Sequence, residues 1–308
     1  MIADDLTGAC DAGVAFAPAV VVLRESVPVN GADSLIYTSH SRDEAPEIAA
    51  ARVAELTRRL PPHGVLFKKI DSVLRGNVRA ELAAMIAASG RRRTLVCPAF
   101  PEQGRTVIDG VAQPAGIDLN VLLDGLGVEI PDAAAPADLA FIAAEATPET
   151  LLVGSAGLAR AKGRIPPRLS MPAQPGPGRA LVCVGSIHPA TLAQVREIED
   201  EPCAEIFRID MALPDAAQLA RIRRRVEALS AGGLILTGGD TALLVCRLLG
   251  AEGIRLEAEL EPGVPFGRLI GGIGAGLAVI TKSGGFGKPE TLAAAARVIS
   301  AENRKDGN

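Results

Sequence analysis

The chain has 308 residues, with 32 Lys and Arg against 36 Asp and Glu for a net charge of −4, and 48% hydrophobic and 22% charged residues. Those proportions describe a soluble globular protein and exclude whole-chain disorder, and the length predicts two domains, each able to bury a core. There is no basic block, and with no Trp, one Tyr and seven Phe there is little for bases to stack on, which argues against nucleic-acid binding.

The apolar stretches around residues 12–23 and 269–281 are broken by Pro18 or rich in glycine, and fall short of the ~20 residues of a membrane helix. The N-terminus lacks a basic segment followed by an apolar one, so no membrane span or export signal is predicted and the expected setting is the cytoplasm. Cys10, Cys97, Cys183, Cys203 and Cys246 are never spaced as CxxC, which argues against a disulfide framework and a zinc site and predicts buried thiols.

Short β-branched runs alternate with alanine-rich helical runs, which predicts an α/β fold with mainly parallel sheets. In chain order the pattern predicts strands at 19–23 and 34–38, a helix at 46–60, a strand at 65–70, a helix at 78–89, and strands at 94–97 and 151–153. Residues 164–178, RIPPRLSMPAQPGPG, carry five prolines and can continue neither a helix nor a central strand. They divide the chain into an N-terminal domain, 1–163, a linker, 164–178, and a C-terminal domain, 179–308. Beyond the linker come a strand at 180–184, helices at 189–199 and 215–230, a strand at 234–237, a helix at 240–249, a strand at 277–281 and a helix at 289–301. The polar tail, residues 301–308, is expected to fray.

Ligands of open α/β sheets bind where strand C-termini meet helix N-termini. Four polar groups fall at such points. ADDLTGACDAG, residues 3–13, sets Asp4 and Asp5 before a helix capped by Asp5 or Thr7, with Asp11 inside it. FKKIDSVLRGN, residues 67–77, presents Lys69, Asp71, Ser72, Arg75 and Asn77, a mixture suited to an anionic, hydroxylated ligand, although a capped helix start with an ion pair is the plainer alternative. CPAFPEQGRTV, residues 97–107, brings Glu102, Gln103 and Arg105 to a comparable place, or forms a rigid surface turn.

The fourth group is VGSIHPAT, LTGGDTA and TKSGGFGKPE, three Gly or Ser-rich strand exits that suggest backbone approaching phosphate oxygens. None reads GxxxxGK[ST], and IGGIGAG, residues 270–276, differs from the GxGxxG dinucleotide fingerprint. His188 precedes Pro189 and reads as a capping or packing residue rather than a general base; His40 and His63 are lone. Residues 91–93, all Arg, read as a solvated helix end, and residues 154–157, GSAG, as a helix cap or a cleft-facing turn.

In this order ADDLTGACDAG, SHSRDEA, KKIDSVLRGN, PAFPEQGRTV, GSAGLA, TGGDTA and KSGGFG resemble the four-carbon acid sugar kinase family, which includes threonate, erythronate and 3-oxo-tetronate kinases. The resemblance covers residue 3 to about residue 290. It implies a sugar-acid-binding α/β domain followed by a nucleotide-binding α/β domain, a ligand cleft between them, and ATP-dependent phosphorylation of a small sugar acid with Mg²⁺ bridging the phosphates. On this resemblance the ATP contacts fall on Ser186, Gly238, Gly239, Asp240, Thr241 and Gly284. The sugar-acid side falls on Asp4, Asp5, Ser41, Arg42, Lys69, Asp71, Arg75 and Arg105, with Ser72 in the same turn as Asp71.

The expected chemistry has Arg75 and Arg42, with Lys69, holding the substrate carboxylate while Asp4, Asp5 or Asp71 accepts the hydroxyl proton; no protein ligand to the metal is assigned. The chain departs from the family pattern in two places. Only Met1 and Ile2 stand before ADDLTG, where an apolar strand is usual, and residues 111–139 are short and alanine-rich. The competing readings are an ATP-independent isomerase or dehydratase and a non-catalytic sugar-acid sensor. The partners expected are a sugar acid and ATP, without nucleic acid or membrane; which acid is used and whether the chain forms a homo-oligomer are left open.

Overall fold

The structure, a computed structural model, describes residues 1–302 apart from 28, 62, 63, 211, 212 and 229–231. His63, the end of the helix expected at 215–230 and most of the polar tail therefore lie outside the described residues. The chain divides into two compact units, Met1–Phe16 with Ile36–Ile165, and Ala17–Leu35 with Pro166–Asn308.

The first unit opens with β1 (Ile2–Ala3) and α1 (Leu6–Gly13); the chain then supplies β2 (Ala19–Val22) to the second unit and returns within β3 (Ser34–Thr38). There follow α2 (Pro46–Arg58), β4 (Leu66–Lys69), α3 (Val78–Ser89) and β5 (Arg93–Cys97). An antiparallel meander of β6 (Thr106–Ile108), β7 (Val111–Gln113) and β8 (Ile117–Asp118) leads through α4 (Leu119–Leu122) and α5 (Pro136–Ala144) to β9 (Thr150–Gly154) and α6 (Ala156–Lys162).

The main sheet of this unit runs β3-β1-β4-β9-β5, every pair parallel. All five strands thus end on one edge, and the loops that leave β1, β3 and β4 are neighbours there. The helices that cover the sheet are legible in local chemistry. Pro46 opens α2, where its missing N–H would have no helical partner in any case, and Ala49, Val53 and Thr57, four residues apart, form the buried stripe. In α3 the stripe is Val78, Leu82 and Met85. Burying each such Val, Leu or Met stabilises the unit by roughly 1.5–3 kcal/mol.

The second unit continues with β10 (Arg179–Val184), α7 (Pro189–Glu197), β11 (Ala204–Arg208), α8 (Asp215–Ala228), β12 (Gly232–Thr237) and α9 (Gly239–Leu248). It ends with β13 (Gly253–Glu261), β14 (Val264–Ile270), β15 (Ala278–Lys282) and α10 (Thr291–Ser300). Its strand order is β11-β10-β12-β15-β14-β13-β2, parallel from β11 to β15 and antiparallel beyond. Leu292, Ala295, Ala296 and Ile299, spaced as one helical face of α10, pack on Val182, Ile235 and Ile280 of the parallel strands. The IGGIGAG run, residues 270–276, spans the last residue of β14 and most of its link to β15.

The α/β class expected from the sequence is the architecture observed. Two antiparallel strands, β13 and β14, escape the pattern because Pro262, Gly263 and Pro265 interrupt what would otherwise be alternating runs. All five cysteines are buried thiols. Among the described residues no helix is long and apolar enough to cross a membrane.

Candidate active site

Three strand exits of the first unit converge on one guanidinium. Arg42, four residues past the end of β3, donates from Nε to Asp4 Oδ2 at 2.7 Å and from Nη2 to Asp4 Oδ1 at 2.9 Å. The same Nη2 donates to Asp5 Oδ1 at 2.8 Å and lies 3.9 Å from Asp71 Oδ1. Asp4 and Asp5 follow β1, and Asp71 follows β4. Arg75 grips Asp71 from the other side, Nη2 to Oδ1 at 2.7 Å and Nε to Oδ2 at 3.1 Å, and its own side chain stays 63% exposed.

Asp5 also caps α1: its Oδ1 accepts from the Gly8 N–H at 3.0 Å and its Oδ2 from the Thr7 hydroxyl at 2.6 Å. Of the two caps weighed from sequence, Asp5 is the one used. Arg105, arriving from the loop after β5, donates to the Ser72 hydroxyl.

The electrostatics follow from this packing. Burial works to raise the Asp4 carboxyl, but Arg42 and the Lys68 and Lys69 ammoniums outweigh it and hold the group below its ordinary value. Asp71 is likewise buried, yet the Arg75 hydrogen bonds, with Lys69 and Arg42, hold it well below the usual carboxylate range. Burial pulls the Arg42 guanidinium down, and Asp5 and Asp4 overcome it and raise it. Asp4 and Asp71 are therefore ionised and matched by cations.

Successive residues of a strand face opposite ways, and β4 uses that to place two lysines. Lys69 turns toward α1, its Nζ donating to the Ile70 carbonyl at 3.0 Å and standing 3.0 Å from where a Cβ on Gly8 would lie. Lys68 turns to α3 and pairs with Glu81 at 2.7 Å, both side chains almost wholly buried. Glu81 accepts a second bond from Ser41 Oγ at 2.5 Å, and Ser41 Oγ lies 2.7 Å from Ser39 Oγ. Ser41, expected on the ligand side, is thus fully buried with its hydroxyl directed to Glu81. Asn77 donates to the carbonyls of Ser41 at 2.9 Å and Glu44 at 2.8 Å, so it pins the loop that carries Arg42. Sequence reasoning passed over Lys68, Glu81 and Ser39; the usable signal was a second lysine inside the apolar run LFKKI.

In the second unit the three glycine turns meet around Ser186. They leave β10, β12 and β15, which are neighbours in the parallel part of the sheet. A Cβ on Gly284 would stand 2.5 Å from Ser186 Oγ, and one on Gly238 would stand 3.4 Å from Ser186 Cβ. Gly238 has φ of +92°, a backbone state that disfavours any side chain, and it precedes α9 without a side-chain cap. Among the described residues the N–H groups of Gly239, Asp240 and Thr241 find no acceptor, so the helix presents three unsatisfied donors at this turn. Thr241 is buried and Asp240 is exposed.

His188 caps α7, its Nδ1 accepting from the Ala190 N–H at 3.2 Å, in keeping with a capping reading; its ring also lies against Gly285, with Nε2 3.1 Å from where a Cβ there would be. His40 contacts Thr38 Oγ1 through Nδ1 at 3.2 Å, and burial lowers it to about 4. Arg93 differs from the solvated helix end expected: it opens β5 and pairs with Glu129 at 2.7 Å and Glu145 at 2.9 Å. Glu102 lies 3.5 Å from Arg160, and Ser155 caps α6 while donating to the Ala99 carbonyl. No group of three His, Cys, Asp or Glu side chains among the described residues is arranged to hold a metal ion.

Residues 1–124 match the family model of a sugar-binding N-terminal domain, and residues 215–292 that of a nucleotide-binding C-terminal domain. Over 97% of its length the chain is 32% identical to the D-threonate kinase of Bordetella bronchiseptica, covering 96% of that protein. The chain belongs to the four-carbon acid sugar kinase family. It is also similar to the D-threonate kinase of Salmonella typhimurium, at 29% identity over 95% of this chain and 96% of that one. The D-erythronate kinase of Heliobacterium modesticaldum is 27% identical, over 94% of each chain.

The alignment to the Bordetella enzyme runs over 396 positions against 308 residues here, so this family member lacks positions which that relative has. Crystal structures of a Salmonella typhimurium protein (19% identity, 97% of this chain and 98% of that one, TM-score 0.68) and a Haemophilus influenzae protein (17%, 96% and 98%, 0.64) have the same fold. As a member of this kinase family the chain is a phosphotransferase that acts on a hydroxyl group.

Proposed function

We propose that this family member transfers the γ-phosphoryl group of ATP to a hydroxyl of a four-carbon sugar acid such as a tetronate. The observation that carries the reading is the pair of chemically distinct strand edges. One gathers acids and guanidiniums around Arg42, suited to an acidic polyol, and the other offers unpaired backbone donors around Ser186, suited to phosphates. The names of the related kinases support the choice of acid class.

Phosphoryl transfer asks the protein for positioning and charge neutralisation more than for covalent chemistry. Arg75 keeps Nη1 without an acceptor among the described residues and is largely exposed, so it receives the substrate carboxylate, with Lys69 and Arg105 adding positive field. Arg42 has Nε and Nη2 committed to the protein's own acids and acts by aligning them. Asp5, 13% exposed against 5% and 7% for Asp4 and Asp71, is the carboxylate within reach of a substrate hydroxyl and accepts its proton. Ser72 stands beside Asp71 and Arg105 on the same substrate side, and Ser41 acts from inside by holding the loop of Arg42.

The N–H groups of Gly239, Asp240 and Thr241, with Gly284 and the Ser186 hydroxyl, hold the phosphates. Mg²⁺ neutralises phosphate charge when it is bound; it prefers phosphate and water ligands to an all-protein cage, which fits a turn offering Asp240 alone. A coupled ADP-release assay over a panel of four-carbon sugar acids tests the reading. ADP formation dependent on one of these acids is expected; stabilisation by an acid with no ATP consumed would favour a sensor and overturn it.

A further inference from the structure

Lys282, the last residue of β15, is buried with its ammonium beneath the turn it leads into. Its Nζ donates to the carbonyls of Ser283 and Phe286, each at 3.0 Å, and its third N–H is shared between the Gly284 carbonyl and Thr191 Oγ1, each at 3.3 Å. Helix α7 reinforces the same grip. Thr191 Oγ1 donates to the Gly284 carbonyl at 2.7 Å, and Gln194 Nε2 to the carbonyls of Phe286 at 3.1 Å and Lys288 at 2.8 Å. Thr191 and Gln194 are themselves buried.

In a trans peptide the C=O and the following N–H point in opposite directions, and the peptides of this turn are trans. Turning the carbonyls of Ser283, Gly284 and Phe286 inward onto one ammonium therefore turns the N–H groups of Gly284, Gly285 and Gly287 outward. None of those three N–H groups has an acceptor among the described residues. The outer side is close-packed as well: a Cβ on Gly284 would press on Ser186 Oγ and one on Gly285 on the His188 ring. The turn thus presents donors outward and holds its acceptors inside, with a positive charge behind them.

We propose that Lys282 is a positioning residue of the nucleotide site: it gathers the turn's carbonyls so that the glycine N–H groups face a phosphate. The inference rests on the reading of this edge as the nucleotide site, and it goes further by assigning the turn's anion selectivity to a side chain that never meets the ligand. Burial lowers the ammonium to about 8 with Glu261 acting in the opposite direction, so at neutral pH the cation persists.

The test is titration calorimetry with Mg²⁺ and a non-hydrolysable ATP analogue on wild-type, Lys282→Met, Lys282→Gln and Thr191→Val proteins, with melting temperature and sugar-acid KM measured alongside. The Met variant, which removes the donors and the charge, is expected to bind the analogue at least about tenfold more weakly, as loss of hydrogen bonds from a charged group implies. Its sugar-acid KM should be unchanged. Gln restores two donors without the charge and should fall between Met and wild type. If the Met protein does not fold, Thr191→Val decides, with about threefold weaker binding expected at a wild-type melting temperature. Wild-type affinity in a folded Met variant, or in Thr191→Val when Met fails to fold, overturns the role of Lys282 and leaves the nucleotide site standing. No binding by the wild-type protein removes the site and this inference together.

Discussion

Arg42 and Asp4 face each other in a two-point contact, with both oxygens of the carboxylate taken by one guanidinium across 38 positions of sequence. Both groups are largely withdrawn from water, so each depends on the other: a planar fork matches a carboxylate edge in a way that a lysine cannot.

Arg42→Met should leave Asp4 buried without its partner, at a cost of about 3 kcal/mol by the behaviour of broken buried pairs. That corresponds to a fall in Tm of roughly 6–12 °C for a domain of this size. Calorimetric melting checks it, and an unchanged Tm would show that the pair contributes nothing net.

Acid should act on the same cluster with a defined sign. Asp4 and Asp71 are held below their ordinary values in the folded chain. The stability they contribute is therefore complete above the unfolded carboxylate value near pH 4 and is lost as pH falls from there toward the folded values. Tm measured against pH should fall more steeply below about pH 4 in wild type than in Asp71→Asn, which has already lost that contribution.

Asp5→Asn is expected to lower kcat by about 10²- to 10⁴-fold with little change in Tm, because asparagine caps a helix as well as aspartate does. Asp4→Asn and Asp71→Asn should lose less kcat and more stability, since each gives up a two-point contact with an arginine. Steady-state rates beside melting curves separate the two patterns; a larger kcat loss in Asp71→Asn would move the base to Asp71.

Gly239→Asp would set a carboxylate at the uncapped start of α9, where the helix end attracts anions and a phosphate would compete with it. The nucleotide KM should rise at least about tenfold, equivalent to about 1.4 kcal/mol, with the sugar-acid KM preserved. Equal increases in both constants would argue for general damage instead.

Glu81→Gln removes the charge partner of a lysine with no access to water and is expected to destabilise by about 3–5 kcal/mol. The paired replacement Lys68→Met with Glu81→Leu should recover most of that loss while Ser41 lacks its acceptor. Urea unfolding of the single and double variants measures the difference.

Much of the first unit was legible in its sequence. The strands at 34–38, 65–70 and 94–97 and the helices at 46–60 and 78–89 recur in the structure with ends shifted by at most two residues. Their signals, apolar spacing and breaking residues, are local. Strand β2 shows the limit. Its apolar run reads as a strand, but nothing nearby says that it pairs antiparallel with β13, more than two hundred positions away.

The sequence by itself determined the α/β alternation and that Asp71, Ser186, Gly238 and Gly284 would stand at strand exits, because hydrophobic periodicity and turn chemistry act over a few residues. Tertiary structure alone decided that Arg42 grips the protein's own acids, that Ser41 turns inward to Glu81, and that Lys282 lies beneath a glycine turn braced by Thr191. Those meetings depend on the order and register of parallel strands, which bring together side chains that no local preference relates.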